Sequence, residues 1–145
     1  MFRLIEVHQN NKFLIKDFCE AAGASLKTFR YFENRTLHAI DNHLVTYVMV
    51  EGENEIVGYG HLDLEDEIVW LGICMVENKV GCGYGQNMMH SLISYAEKNS
   101  INEINLSVDK ENNMARSLYN KMGFVKYRSN EVSHFMKLEL GEKNG

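Results

Sequence analysis

The pattern of apolar residues changes abruptly in the middle of the chain, and this change constrains the fold more than any other feature. Residues 68–76 form an almost continuous apolar run, which is typical of a strand buried on both faces. Three glycines follow, and apolar residues then recur at helical spacing, at Met88, Met89, Leu92, Ile93 and Ala96. Residues 101–108 are predicted to be another strand. A strand, a helix and a strand in this order predict a parallel crossover.

The flanking segments predict antiparallel hairpins and further helices. Residues 43–50 and 56–64 are rich in β-branched and aromatic residues and are separated by a polar turn. Strands are also predicted at 2–8, 124–127 and 133–140, and helices at 10–22, at 25–32 and from a cap at Asp109 to Gly123. We therefore expect an α/β fold of the α+β type, with a mixed, largely antiparallel central sheet flanked by helices. It should occupy residues 1–145 as a single domain.

Charge and cysteine content exclude several classes of protein. The formal net charge of -5 and the pI near 5.7 argue against binding to nucleic acid, which needs clustered Lys and Arg. The 3 cysteines are an odd number without a C-x-x-C pair, so a disulfide framework is not expected. The amino terminus lacks the apolar run of a signal peptide, and no stretch is apolar enough to span a membrane. These features predict a cytoplasmic protein.

The glycines lie between the buried strand and the amphipathic helix, in the sequence Val76-Glu77-Asn78-Lys79-Val80-Gly81-Cys82-Gly83-Tyr84-Gly85. Glycines let a ligand approach the backbone, and the free amides at a helix start favour an anion such as a pyrophosphate. Lys79 is a candidate for an additional contact with a phosphate. The segment lacks the Gly-Lys-Ser/Thr of a P-loop, and its place in the chain does not suit a dinucleotide fold. By itself, however, the segment is equally compatible with a connection that binds nothing.

A second segment, residues 109–124, favours a ligand-binding role for the glycine segment over a connection that binds nothing. It contains Asn112, Ala115, Leu118, Tyr119, Gly123 and Phe124 at the spacing Asn-x-x-Ala-x-x-Leu-Tyr-x-x-x-Gly-Phe. With the preceding Val80-x-x-Gly83-x-Gly85, the chain resembles the GCN5-related N-acetyltransferase (GNAT) superfamily. The resemblance is clear over residues 69–127 and departs from the family at three places. Val80 replaces the usual Arg or Gln, Asn78 a common Pro, and Cys82 a residue that is often polar.

The resemblance implies that acetyl-CoA is the co-substrate and that its thioester lies between two diverging parallel strands. Backbone groups of Cys74, Met75 and Val76 would then bind the pantetheine arm. The turn formed by Gly81, Cys82, Gly83, Tyr84 and Gly85 would hold the pyrophosphate. Tyr119 matches the family's general acid, which protonates the CoA thiolate, although such a tyrosine also suits an apolar helix stripe. Asn112 would face the cofactor, or would simply cap its helix.

The residues at the acceptor end are less constrained. His61 is a candidate general base because imidazole titrates near neutral pH, although a histidine in a strand is more often structural. Glu77 is a second candidate. Arg30, Tyr31 and Trp70 are candidates for the acceptor pocket by analogy with the family, although the aromatic residues are equally compatible with a place in the core. Neither Cys74 nor Cys82 has a neighbouring His–Asp pair, so direct transfer in a ternary complex is expected. No metal site is predicted, because His38 and His43 have no C-x-x-C partner.

The function expected from these features is transfer of an acetyl group from acetyl-CoA to a primary amine of a small molecule or peptide. Two alternatives stay open at this point. One is a non-catalytic acyl-CoA-binding or regulatory domain with the same fold. The other is an interaction module in which the glycines only form turns. A homodimer is possible. Neither nucleic acid nor a membrane is expected as a partner.

Overall fold

The computed structural model describes residues 2–27, 41–79, 81 and 83–141. Within them the chain forms seven strands, three α-helices and three short 3-10 helices. The strands are β1 (Phe2–Glu6), β2 (His43–Glu51), β3 (Glu55–Glu65), β4 (Ile68–Met75), β5 (Glu103–Asp109), β6 (Val125–Ser129) and β7 (Ser133–Glu139). The helices are α1 (Phe13–Ala22), α2 (Tyr84–Lys98) and α3 (Asn113–Lys121). No helix in these ranges is long and apolar enough to cross a membrane.

All seven strands belong to one sheet, in the order β1-β2-β3-β4-β5-β7-β6. Every neighbouring pair is antiparallel except β4 and β5, which are parallel and connected through α2. The prediction of a mixed, largely antiparallel sheet with one parallel crossover is therefore confirmed. The crossover is the element that the change from an apolar run to a helical stripe indicated.

Buried side chains form one cluster on each face of the sheet. On one face, Phe18 of α1 packs with Val48, Tyr59 and Cys74. On the other face, Leu92 of α2 belongs to a larger cluster with residues of β3, β4 and β5, and Tyr119 of α3 also belongs to it. The amphipathic stripes predicted for these helices are the surfaces that cover the sheet.

Strands β4 and β5 separate soon after they meet. Their register contains a single pair, Trp70 with Asn105, although both strands continue for several residues beyond it. The prediction that β4 is buried on both faces is accordingly only partly correct. Gly72, Ile73 and Met75 are half-buried, because a cleft opens beside them.

Two local predictions need correction. The cap of α3 is Asn112, whose side-chain oxygen accepts a hydrogen bond from the Ala115 amide at 3.2 Å, because β5 extends through Asp109. The helix predicted at 25–32 begins instead as a short 3-10 turn at Gly23–Lys27, and its later residues lie outside the described ranges. The predicted helix ends are confirmed, since Gly23 and Gly123 have φ of 63° and 100°.

Candidate active site

A cleft of about 910 Å³ begins where β4 and β5 separate. It extends from the turn before α2 to the surface of β3, β5 and β7. Residues that are directly paired across neighbouring strands project from the same face of a sheet. His61 pairs with Gly72, and Asp63 pairs with Trp70, so these side-chain positions share the cleft face. The cleft therefore joins the glycine turn to the polar face of the sheet.

The end of the cleft near α2 is built largely from backbone. Gly81 and Gly83 both have a φ of 87°, a left-handed conformation that favours glycine. Gly83 is also the N-cap of α2. Because glycine has no side chain, the N-cap residue makes no side-chain hydrogen bond to the first amides of the helix. Gly81, Gly83 and Gly85 line the cleft. The amides and the positive end of the helix dipole suit an anionic ligand.

The turn is anchored to β2 on its outer side. Lys79 donates a hydrogen bond to the Glu51 carboxylate at 2.7 Å, and the Tyr84 hydroxyl donates to the same carboxylate. These two hydrogen bonds, and chiefly the one from Lys79, lower the pKa of Glu51. The same hydrogen bond with Glu51 raises the pKa of Lys79. The Tyr84 ring lies edge-on to Phe2 at 5.8 Å. Tyr84 thus supports the turn with its side chain, which does not line the cleft.

Tyr119 reaches the cleft from α3 and is buried. Its ring packs against Phe124, with centroids 6.0 Å apart. Burial, and then the nearby Cys74, raise the pKa of the Tyr119 hydroxyl, because both disfavour a phenolate. The hydroxyl is therefore protonated at neutral pH, as a proton donor has to be.

Cys74 also lines the cleft, but its thiol is not activated. Burial raises the pKa of Cys74 to about 12, with a smaller contribution from Cys19. Since the thiolate is the nucleophilic form, this environment opposes a covalent acyl-cysteine intermediate.

His61 lies at the opposite end of the cleft, on β3. It is buried and lines the cleft, and its Nδ1 lies 2.6 Å from the Tyr59 hydroxyl. Trp70 lines the same region and meets Phe135 edge-on at 6.4 Å. Asp63 and Glu65 of β3 also line the cleft near Trp70, whereas Asp109 lines it four residues further along β5 than Asn105, the register partner of Trp70. Side chains, rather than backbone, therefore define this part of the site.

Most of the predicted site residues are brought together by the cleft. Cys74, Met75 and Asn112 line it, as do the three glycines described above. Val76 is buried beside it, with its amide donating to the Val57 carbonyl at 2.9 Å and its carbonyl accepting from the Lys79 amide at 2.8 Å. Glu77 lines the cleft next to the turn. Four further residues with predicted roles lie outside the described ranges, namely Arg30, Tyr31, Val80 and Cys82.

Several cleft residues were not named from the sequence. Ser107 of β5 and Phe135 of β7 are direct register partners on the polar face. The alternation of Asn105, Ser107 and Asp109 with buried apolar residues indicated such a face, whereas nothing in the sequence indicated which strand lies beside it. At the other end, the Lys121 ammonium donates to the Gln86 side-chain oxygen at 3.3 Å, and both residues line the cleft. Their proximity depends on how α3 packs beside α2.

No group of three potential metal ligands (His, Cys, Asp or Glu) is found in the part of the chain that the structure describes.

Comparison with protein families places residues 11–124 in the acetyltransferase (GNAT) family. A comparison with curated proteins finds no match.

Solved structures with similar folds cover nearly the whole chain. An acetyltransferase of the GNAT family from Streptococcus pneumoniae has a TM-score of 0.78 at 19% identity, covering 97% of this chain and 100% of its own. The protein yncA from Salmonella typhimurium, solved with its cofactor acetyl-CoA, has a TM-score of 0.77 at 16% identity. The match covers 99% of this chain and 96% of yncA. The ribosomal-protein-S18-alanine N-acetyltransferase from Escherichia coli has a TM-score of 0.74 at 17% identity and covers 99% and 98%. At these identities the similarity establishes the fold.

Proposed function

The chain belongs to the acetyltransferase (GNAT) family, and from this premise we propose that it moves an acetyl group from acetyl-CoA to a primary amine of a small molecule or peptide. The amine attacks the thioester directly, in a ternary complex. The observation that carries this proposal is the continuous cleft, which joins a backbone anion site to a buried, protonated tyrosine and a polar face.

The residues near α2 fit the cofactor. Backbone amides of the turn containing Gly81, Gly83 and Gly85 would bind the pyrophosphate, with help from the α2 dipole. Lys121 supplies a cation at this end of the cleft. Backbone groups of Cys74 and Met75 would bind the pantetheine arm, and those of Val76 would do so only by exchanging their present partners. Asn112 caps α3 through its side-chain oxygen and also lines the cleft, where it would lie beside the cofactor.

The chemistry requires proton transfers at both the amine nitrogen and the sulfur. An acceptor ammonium has no lone pair, so its proton passes first to His61 at the polar end of the cleft. The amine nitrogen then forms a bond to the carbonyl carbon, the carbon–sulfur bond breaks, and the nitrogen releases its second proton to solvent as the amide forms. Tyr119 gives its proton to the departing thiolate and is reprotonated from solvent. Its raised pKa keeps it in the acid form until that step.

The charge of the polar end supports an amine acceptor. Asp63 and Asp109 are buried and Glu65 is exposed, and all three carboxylates line the cleft. Acidic residues along a cleft favour a cationic ligand over an anionic one. Trp70 offers an aromatic surface to the same ligand. The acceptor named for the Escherichia coli structure, an alanine of ribosomal protein S18, belongs to that protein.

A direct test measures CoA release from acetyl-CoA with a panel of amines, which includes amino sugars, polyamines, amino acids and peptides with free amino termini. We expect at least one amine to accelerate thiol release over the amine-free blank, with an N-acetylated product of the corresponding mass. Binding of acetyl-CoA without turnover on any amine would contradict the proposal and favour a non-catalytic acyl-CoA-binding domain.

A further inference from the structure

A cation lies beside the aromatic side chains that line the polar end of the cleft. Phe135 of β7 meets Trp70 of β4 edge-on at 6.4 Å. The guanidinium carbon of Arg128, on β6, lies over the same Phe135 ring, 4.4 Å from its centroid. Since Trp70 and Phe135 both line the cleft, Arg128 contacts a residue of the cleft wall directly.

The sheet register places these side chains on one face. Trp70 pairs with Asn105 of β5, and two residues further along β5, Ser107 pairs with Phe135. Phe135 in turn pairs with Arg128. Directly paired residues project from the same face, as do residues two apart on one strand. This face therefore carries the carboxylates of β3 on one side of the aromatic pair and a guanidinium on the other.

The guanidinium of Arg128 is available to a ligand. Arg128 is exposed, and no acidic side chain in the described part of the chain forms an ion pair with it. A guanidinium that stacks on a ring uses its flat face, so its N–H groups, which point outward in its plane, can still donate. By contrast, the Lys137 ammonium on the same face of β7 lies 3.8 Å from the Glu103 carboxylate and 3.7 Å from that of Glu139.

We propose that Arg128 is a specificity-determining residue, which binds a carboxylate of the acceptor while the acceptor amine reacts in the cleft. The inference rests on the proposed function and narrows its substrate to an amine that also carries a carboxylate. The carboxylates of β3 attract the ammonium form of the amine. The guanidinium holds the opposite end of the molecule by charge-assisted hydrogen bonds.

The spacing of the strands sets the length of this acceptor. The reacting amine has to reach the opening between β4 and β5, where the thioester would lie. Strand β6 is two strands beyond β5, so their backbones are separated by roughly 10 Å. Arg128 reaches back over Phe135 of the intervening strand, which shortens the span. An amine and a carboxylate roughly 5–10 Å apart therefore fit, whereas an α-amino acid is too short.

The test compares three amines of equal length whose far ends differ in charge, namely 6-aminohexanoate, 6-aminohexanamide and 1,6-diaminohexane. Their kcat/KM per amine group is measured with saturating acetyl-CoA for the wild type, Arg128→Met and Arg128→Glu. Methionine removes the charge but keeps an unbranched chain that packs on an aromatic ring. Lys126→Met is the matched control, because Lys126 is an exposed cation of the same strand whose register partner, Met136, belongs to the core of the opposite face.

We expect the wild type to prefer 6-aminohexanoate over its amide by about threefold to tenfold, as for a charge-assisted contact at an exposed site. Arg128→Met should lose this preference, because the carboxylates that line the cleft oppose an anion. Arg128→Glu should prefer the diamine. Lys126→Met should keep the wild-type order, although it loses the same charge as Arg128→Met.

A second pair, triglycine and its C-terminal amide, distinguishes two sources of the carboxylate. The peptide places its carboxylate about 10 Å from its amino terminus. A preference for the acid in this pair alone would identify a peptide acceptor. A preference in the aliphatic pair alone would identify a free amino acid whose amine lies far from its carboxylate.

Three results would overturn the inference. They are equal rates for acid and amide in both pairs, a preference for the acid that persists in Arg128→Met, and a failure of both acids beside other amines that react. If no amine reacts at all, the proposed function is contradicted, and binding decides the inference. Calorimetric titration of N-acetyl-6-aminohexanoate and its amide into the protein with CoA should then show tighter binding of the acid in the wild type alone. Equal Kd values in the wild type would overturn the inference.

Discussion

The two ends of the cleft are built from different parts of the chain. Near α2 the wall consists largely of backbone, in a turn whose Gly81 and Gly83 hold left-handed conformations. At the polar end the wall consists of side chains, among them His61, Trp70 and Phe135. A backbone wall needs glycine and a helix start but few particular side chains. The side-chain wall changes its chemistry with every substitution.

This difference explains why the departures from the family motif are compatible with the fold and the cleft. The departures at Val80, Cys82 and Asn78 change side chains, whereas the proposed contacts with the pyrophosphate come from backbone amides. The turn is held by Glu51, which accepts hydrogen bonds from Lys79 and Tyr84. Binding of acetyl-CoA should therefore depend on backbone conformation, and turnover on a few side chains. The following predictions test that separation.

The largest effect is expected for Tyr119→Phe, which should separate turnover from binding. Loss of the general acid should lower kcat about 10²–10⁴-fold, since proton transfer of this kind contributes that much. The phenyl ring can still pack on Phe124, so the affinity for acetyl-CoA should be retained. Steady-state kinetics and calorimetric titration measure the two quantities.

Tyr95→Phe is the matched control, since its hydroxyl lies away from the cleft. A decrease in kcat of less than about threefold for Tyr119→Phe would exclude Tyr119 as the general acid. An equal loss in the control would show that any missing hydroxyl slows the enzyme.

A smaller effect, on binding alone, is expected for Gly83→Ala compared with Gly52→Ala. Both glycines have a positive φ, 87° and 62°, and an added Cβ meets no atom within 4 Å at either position. Each variant should lose about 1–2 kcal/mol of folding free energy from the left-handed conformation. Only position 83 lines the cleft. The Kd of Gly83→Ala for acetyl-CoA should rise about tenfold or more, because the backbone amides of the turn lose hydrogen bonds to the phosphates.

Titration calorimetry on both variants provides the comparison, with chemical denaturation as the check on stability. An unchanged Kd in Gly83→Ala would mean that the ligand does not approach this turn. A similar rise in both variants would mean that loss of stability, rather than contact with the ligand, weakens binding.

The smallest effect concerns Cys74 and appears only at alkaline pH. Below pH 9 the thiol is protonated in both the folded and the unfolded chain. Above pH 9 the unfolded chain releases the proton while the folded chain retains it, because its pKa is about 12. The free energy of unfolding should therefore fall with rising pH, by about 1.4 kcal/mol per unit from this group.

Urea denaturation at pH 8 and pH 10 should show a smaller decrease in Cys74→Ala than in the wild type. Tyr119 contributes with the same sign at higher pH, since its pKa is also raised. Equal decreases in both proteins would contradict an inactive, buried thiol and reopen the covalent route.

The features that could be predicted from the sequence follow the same division between backbone and side chains. The glycine turn and the crossover were predictable, since they depend on local conformation and on a change of period between residues 76 and 88. The pairing of Ser107 with Phe135, and the approach of Lys121 to Gln86, depend on how distant segments pack. The contact between the Tyr59 hydroxyl and His61 could not be predicted for another reason. A buried tyrosine in a strand has the same sequence pattern whether its hydroxyl meets a base or not.

The central claim is that the cleft binds acetyl-CoA, and a thermal melt with and without saturating acetyl-CoA tests it most directly. At a hundredfold excess over Kd, the ligand should stabilise the fold by about 2.7 kcal/mol. For a chain of this length the Tm should rise by roughly 5–10 °C, and by less in Gly83→Ala at the same concentration. A folded wild-type protein whose Tm does not change would contradict the account.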